Sequence, residues 1–354
     1  MAKKIFRILG IILAAVIAAA ALFLLYLTVT EYRPADKEDA SILSSDGAKT
    51  LKAGDQVSVL SWNVGYAGHG AETDFFMDGG KGVDDADRET VQRYLDGIGS
   101  TAFSEENQAD ITLFQEVDIN STRTYHINES DTLKRGSSAL ALNYSTAFVP
   151  YPIPPIGAVH SGLLMDSVFG VESSQRLSLP CPFKWPVRLA NLKRCLLADY
   201  IPIEGTDKYL VAVDLHLEAY DDGSGKAAQT SVLRDFLDSE YKKGNYVIAG
   251  GDFNQEFPDA LEVYPNTQAD IWQPDTLDAS MIPENFSYAY DLNVPSCRLD
   301  NQPYNAADTV NTQYYVIDGF ILSPNVHLNT VKTLDEGFVN SDHNPVRLTA
   351  TLTK

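Results

Sequence analysis

The chain has 354 residues with 48 acidic and 27 basic side chains, a formal charge of −21. A surface so acidic repels polyphosphate backbones in general, which disfavours DNA binding without forbidding a local basic site. Three cysteines are too few for a disulfide framework, and their spacing suggests no zinc site.

Lys3, Lys4 and Arg7 precede an uncharged apolar run from Ile8 to Val29. Those 22 residues would span about 33 Å as a helix, enough to cross a bilayer core. A cleaved signal peptide would have a shorter apolar core ending at small residues. Here Ala18–Ala21 lie mid-run and Leu22–Leu27 continue it, which favours an uncleaved anchor. The basic N-terminus then faces the cytoplasm and the rest of the chain lies outside it. Residues 1–30 are thus expected to be cytoplasmic terminus and transmembrane anchor. Their charge is +3, so the remainder carries −24. Residues 31–54, polar and mixed in charge, read as a tether. Residues 55–354 form the folded part, one large α/β domain or two smaller ones by length alone.

Gln56–Trp62 alternates as a strand and ends at Asn63. Asp84–Gly97 is expected to be a helix, with acids at its start and Val91, Tyr94, Leu95 and Ile98 on one face. Ala109–Phe114 is a strand ending in Gln115-Glu116. Tyr151–Pro186, rich in proline, resists assignment. Cys181 and Cys195 could pair across a short loop outside the cytoplasm, leaving Cys297 free; buried free thiols fit as well. Tyr209–Leu215 is a strand ending at His216, and Ala227–Lys243 a helix closed by Gly244. Tyr246–Ala249 is a strand followed by Gly250-Gly251-Asp252-Phe253-Asn254. Phe257–Thr312 is a long stretch of tyrosines, acids and prolines. Tyr314–Leu322 is a strand containing Asp318, and Asp342-His343 precedes a last strand, Val346–Leu352.

Strand after strand thus ends in a polar or ionisable residue, at the place where α/β sheets put their ligands. Packing would not place Asn63, Glu116, His216, Asp252, Asn254, Asp342 and His343 there, although Asn63 could be a strand-end cap, Asp252 turn chemistry and His216 a satisfied structural histidine. There is no G-x-S-x-G elbow and no phosphate-cradling Walker loop. Carboxylate and amide oxygens with few nitrogens suit Mg²⁺, or Mn²⁺, better than zinc. Such an ion beside a histidine and an acid suits phosphate-ester hydrolysis.

The ordered set Trp62-Asn63-Val64, Gln115-Glu116-Val117, Gly251-Asp252-Phe253-Asn254, Ile317-Asp318-Gly319-Phe320 and Ser341-Asp342-His343-Asn344-Pro345 resembles the endonuclease/exonuclease/phosphatase superfamily. The resemblance implies an α/β (α+β) four-layer sandwich, two packed mixed β-sheets flanked by helices, here preceded by one transmembrane helix. It implies that Glu116 holds Mg²⁺ with Asn63 beside it, and that Asp342 contributes to a metal site. Asp252 would orient or deprotonate water, Asn254 and His216 would donate to the phosphate, and His343 would meet the phosphate or act as base, its ring held by Asp318. Many relatives carry a Ser-Arg pair where this chain has Met165-Asp166, so the basic substrate contact is expected to be missing or supplied elsewhere, with Arg188, Arg194 and Arg298 as candidates or else as surface or core ion pairs. The leading expectation is a monomeric, single-pass, membrane-anchored phosphoesterase, its catalytic domain outside the cytoplasm, acting on a lipid or small-molecule ester. A nuclease is the alternative enzyme, disfavoured by charge. A catalytically dead surface binding module is the alternative of another class; the intact acidic and histidine set argues against it.

Overall fold

A computed structural model describes residues 2–353 apart from 84, 221–222, 268–271 and 309. Two seven-stranded mixed sheets stack face to face. The first has the strand order 37–39, 173–178, 195–202, 209–216, 246–252, 318–322, 287–289, and the second 326–333, 346–352, 56–63, 111–118, 157–167, 137–149, 41–45. The central strands 111–118, 209–216, 246–252 and 318–322 are buried on both faces. Val57, Val59, Ile111 and Leu163 of the second sheet meet Leu197, Leu210, Ile248 and Phe320 of the first in the central core. On its other face the second sheet packs Leu60, Trp62 and Phe114 against Val91, Tyr94, Leu95 and Ile98 of α2 (Arg88–Ala102). The first sheet packs Val211, Val213 and Val247 against Leu233 and Leu237 of α3 (Ser224–Lys242). Helix, sheet, sheet and helix make the four layers.

Local chemistry sets the ends of these elements. The Asp87 side chain accepts from the Thr90 backbone N–H at 2.8 Å, so α2 begins at Arg88 rather than among the preceding acids. Asp84, expected at that start, lies outside the described residues. Gly244, at φ +87, closes the α3 region as expected. Gly251 has φ +146, and a Cβ there would collide with the Leu215 carbonyl of the neighbouring parallel strand. Only glycine lets that strand carry Asp252 to its end beside His216.

Three expectations change. The segment expected to be a tether is paired into the fold: Lys37–Asp39 extends the first sheet along 173–178, and Ser41–Ser45 extends the second along 137–149. Short polar strands suit sheet edges, where one side of the ladder stays wet. Strand Tyr314–Leu322 divides into Tyr314–Tyr315, paired with Cys297–Arg298, and Asp318–Leu322, which joins the first sheet. The proline-rich Tyr151–Pro186 contains two whole strands, 157–167 and 173–178. All three cysteines are free, Cys181 exposed and Cys195 and Cys297 buried.

The N-terminal helix α1 (Ala2–Val29) is long and apolar enough to cross a membrane over Lys3–Val29. Most of it is exposed, but Leu27 is buried and Phe23, Leu24 and Thr28 are half-buried against the domain.

Asp199 is buried, its Oδ1 without a hydrogen-bond partner. Burial, reinforced by Asp166, raises its pKa to about 7. The folded state therefore holds this proton more tightly than the unfolded chain, so the group's contribution falls as pH rises from about 4 to about 7. Asp199→Asn should gain in Tm over the native chain across that window and keep a constant advantage above it. Differential scanning fluorimetry at pH 4.5, 6 and 8 reads the difference; an equal difference at all three refutes the assignment.

Candidate active site

The strand ends of both sheets converge at one edge of the sandwich. Asn63 ends its strand in the second sheet. Its Nδ2 donates to Asp252 Oδ2 of the first sheet at 3.0 Å and to Glu116 Oε1 at 3.1 Å. Its Oδ1 accepts from the Gly65 backbone N–H at 3.0 Å. The amide therefore turns its nitrogen toward the carboxylates and bridges them. Glu116 occupies a β-bulge where 111–118 slips against 157–167 between Phe114 and Val117, and its φ is +60. That backbone is uncommon for a residue with a Cβ, and such bulges re-aim side chains at sites. The strand does not end at Glu116, as the sequence suggests, but continues to Asp118.

His343 is held on several sides. Its carbonyl accepts from the Trp62 indole N–H at 2.9 Å, and its N–H donates to Ser341 Oγ at 3.1 Å. Ring atom Nδ1 lies 2.8 Å from Asp318 Oδ2, which also accepts from Ser296 Oγ at 2.8 Å. The other ring nitrogen, Nε2, is 3.9 Å from Asp252 Oδ2. Burial opposes charge on the ring, but Asp318 overrides it and holds the pKa well above the ordinary value. Burial raises the Asp252 carboxyl to about 7; Asp318 adds to that, while His343 and hydrogen bonds from Asn254 N–H and Asn63 oppose it. Asn254, at φ +50, donates its side-chain amide to the Leu217 carbonyl at 2.9 Å.

His216 is buried, with Nε2 3.4 Å from Asp252 Oδ2 and Nδ1 3.9 Å from Glu116 Oε1. Burial, then Arg194 and His343, press its pKa well below the ordinary value, so the ring is neutral. Its Nδ1 has no hydrogen-bond partner. Burial also raises the Asp342 carboxyl, against the pull of His343 and His69.

Seven of the eight residues expected from the sequence, all except Asp318, line one cavity of about 890 Å³. Asp318 stands behind His343 as a positioning residue. Among the described residues, one group of donors lies close enough together to hold an ion, Asp252, Asp318 and His343, but His343 and Asp318 already spend their facing atoms on each other. Glu116 and Asp342, expected as ligands, line the same cavity and supply hard oxygen atoms of the kind a divalent cation takes.

The basic residues expected to replace a Ser-Arg pair have other partners. Arg298 is buried, donating to Asp300 Oδ1 at 2.6 Å and to the Gly70 carbonyl at 3.1 Å. Arg188 pairs with Glu31 at 3.1 Å. Arg194 lines the cavity 3.9 Å from Glu218. The sequence reading missed Arg123, which also lines the cavity. It makes two 2.9 Å hydrogen bonds to Asp118 and stacks 3.5 Å over the Tyr66 ring. Its spacing of five residues from Asp118 is too ordinary a signal to find it. His69 is buried and pairs with Asp300 at 2.7 Å.

No family model and no curated protein matches this sequence. Solved structures do: the chain has the endonuclease/exonuclease/phosphatase fold. The family member from Bacteroides vulgatus superposes with a TM-score of 0.53 at 15% identity, covering 84% of this chain and 99% of that one. One from Bacteroides thetaiotaomicron gives 0.52 at 14%, covering 84% and 96%. The mannosyl-6-phosphatase of the same organism gives 0.50 at 15%, covering 83% and 99%.

Asp318→Asn removes the charge that sustains the His343 imidazolium. The ring should titrate at least about one pH unit lower in the variant, read by the NMR shift of its Cε1 proton. An unchanged titration would contradict the Asp318–His343 pairing.

Proposed function

We propose that the chain is a divalent-metal-dependent phosphoesterase, held at a membrane by α1 with its catalytic domain outside the cytoplasm. Its substrate is a lipid or small-molecule phosphate ester. The observation that carries this reading is the buried His343–Asp318 pair facing Asp252, with Asn63 joining Asp252 to Glu116. A mannosyl-6-phosphatase of the same fold lends support.

Asp252, with a proton affinity near neutrality, accepts the proton of the attacking water. The charged ring of His343, kept in place by Asp318, faces the phosphoryl group and stabilises the charge that builds there. Asn63 fixes Asp252 relative to Glu116. The neutral His216 ring sits between the same two acids. Mg²⁺, or Mn²⁺, held by Glu116 and Asp342 would neutralise phosphoryl charge. DNA is disfavoured by the charge of −24 beyond residue 30 and because Arg123 and Arg298 each spend their charge on a buried acid.

The full chain in detergent should hydrolyse p-nitrophenyl methyl phosphate or p-nitrophenyl phosphate when Mg²⁺ is added. His343→Ala should lower kcat about 10²–10⁴-fold. Glu116→Gln should raise the Mg²⁺ concentration needed for half-maximal rate at least about tenfold. Absence of hydrolysis by the native chain, or a rate indifferent to His343, would end the enzyme reading.

A further inference from the structure

The active-site cavity is far larger than its chemistry requires. About 890 Å³ is near the upper end for a site that encloses a whole small ligand. The cavity is walled mainly by apolar side chains, and part of that wall comes from the membrane-spanning helix. Phe23, Leu24 and Leu27, in the last turns of α1, line the same cavity as His343. Val149, Phe183 and Leu192 line it from the domain.

The helix is fixed there by more than apolar contact. Phe23 meets Phe148 edge to face at 5.9 Å between centroids. The Trp185 indole N–H donates to Thr28 Oγ1 at 3.2 Å. Glu31, just past the helix, is buried beneath Arg33, Arg188 and Lys193 at 2.9, 3.1 and 3.7 Å. Two loops beside the helix end carry Tyr151, Ile153, Trp185 and Val187, all exposed, Ile153 by 90%. Single exposed apolar residues are ordinary; four of them flanking the end of a membrane-length helix form a rim suited to the headgroup boundary. The mouth of the cavity, the rim and the helix are therefore continuous.

We infer that α1 is a working wall of the active site and that the substrate is an amphiphilic phosphate ester drawn sideways from the bilayer. Its apolar tail lies against Phe23, Leu24 and Leu27, and its phosphate reaches the His343 end. This inference rests on the phosphoesterase reading and adds the substrate class to it. It also gives the helix a role that an anchor alone would not have, because any apolar sequence could serve as an anchor.

The test uses the full chain in detergent and two esters with the same leaving group, p-nitrophenyl methyl phosphate and p-nitrophenyl dodecyl phosphate. The native chain should favour the dodecyl ester in kcat/KM by at least about tenfold. Leu24→Gln/Leu27→Gln should erase most of that preference, and an unchanged far-UV circular dichroism spectrum shows that the variant folds. Equal rates on the two esters, or a preference untouched by the helix variant, overturns the inference while the phosphoesterase reading stands. Binding is read separately, by energy transfer from the protein's tryptophans to a pyrene-labelled dodecyl phosphate. If neither ester turns over, saturable transfer weakened by the helix variant supports the tail site. Transfer unchanged by the variant, or none, refutes it.

Discussion

The Asn63 amide donates from the second sheet to a carboxylate on each sheet, and the site is built around that bridge. Glu116 and Asp252 are like charges brought together at a largely buried seam, where repulsion is screened less than in water. The bridge is possible only because the two sheets meet at a fixed separation, set by the interleaved aliphatic core between them. A second, deeper amide, Gln115, repeats the device by donating to Asp214 at 2.6 Å across the same interface. Burial pushes the Asp214 carboxyl well above the carboxylate range, so that link tends to be neutral and structural. Consecutive residues of one strand, Gln115 and Glu116, thus serve opposite ends: one seals the sheets together and the next, turned by the bulge, faces the cavity.

Much of this was legible in the sequence because apolar strands stop at residues that packing has no use for. Asn63, His216 and Asp252 fall at strand ends and His343 just before one, and the resemblance supplied their order. The orientation of the Asn63 amide was not legible, since it depends on the Gly65 N–H that claims its oxygen. Nor was the commitment of Arg298, whose partner Asp300 also holds His69. Strand 137–149 carries serine, asparagine and tyrosine among its apolar residues, and strand 157–167 follows a proline cluster, so neither shows a clean period. The edge strands 37–39 and 41–45 are polar because edges tolerate polarity, and the same trait made them resemble a linker.

The missing Ser-Arg pair illustrates how a local change is absorbed. Asp166 accepts from the backbone N–H groups of Arg135 and Gly136 at 2.8 and 2.9 Å and from Ser138 Oγ. It therefore anchors the start of the neighbouring strand and is not among the residues that line the cavity. Positive charge at the cavity comes instead from His343 and from arginines already facing acids. A site so balanced can receive a phosphate without carrying the standing basic patch that would also attract nucleic acid.

The pairing of Lys37–Asp39 with the first sheet leaves only residues 30–36 between α1 and the folded domain. Seven residues reach at most about 25 Å when fully extended, and the burial of Glu31 shortens that further. On the membrane reading, this is a leash too short for the catalytic face to turn away from its own bilayer. Such a protein would work only on the leaflet it stands on, and its rate would follow the two-dimensional density of substrate there rather than any bulk concentration.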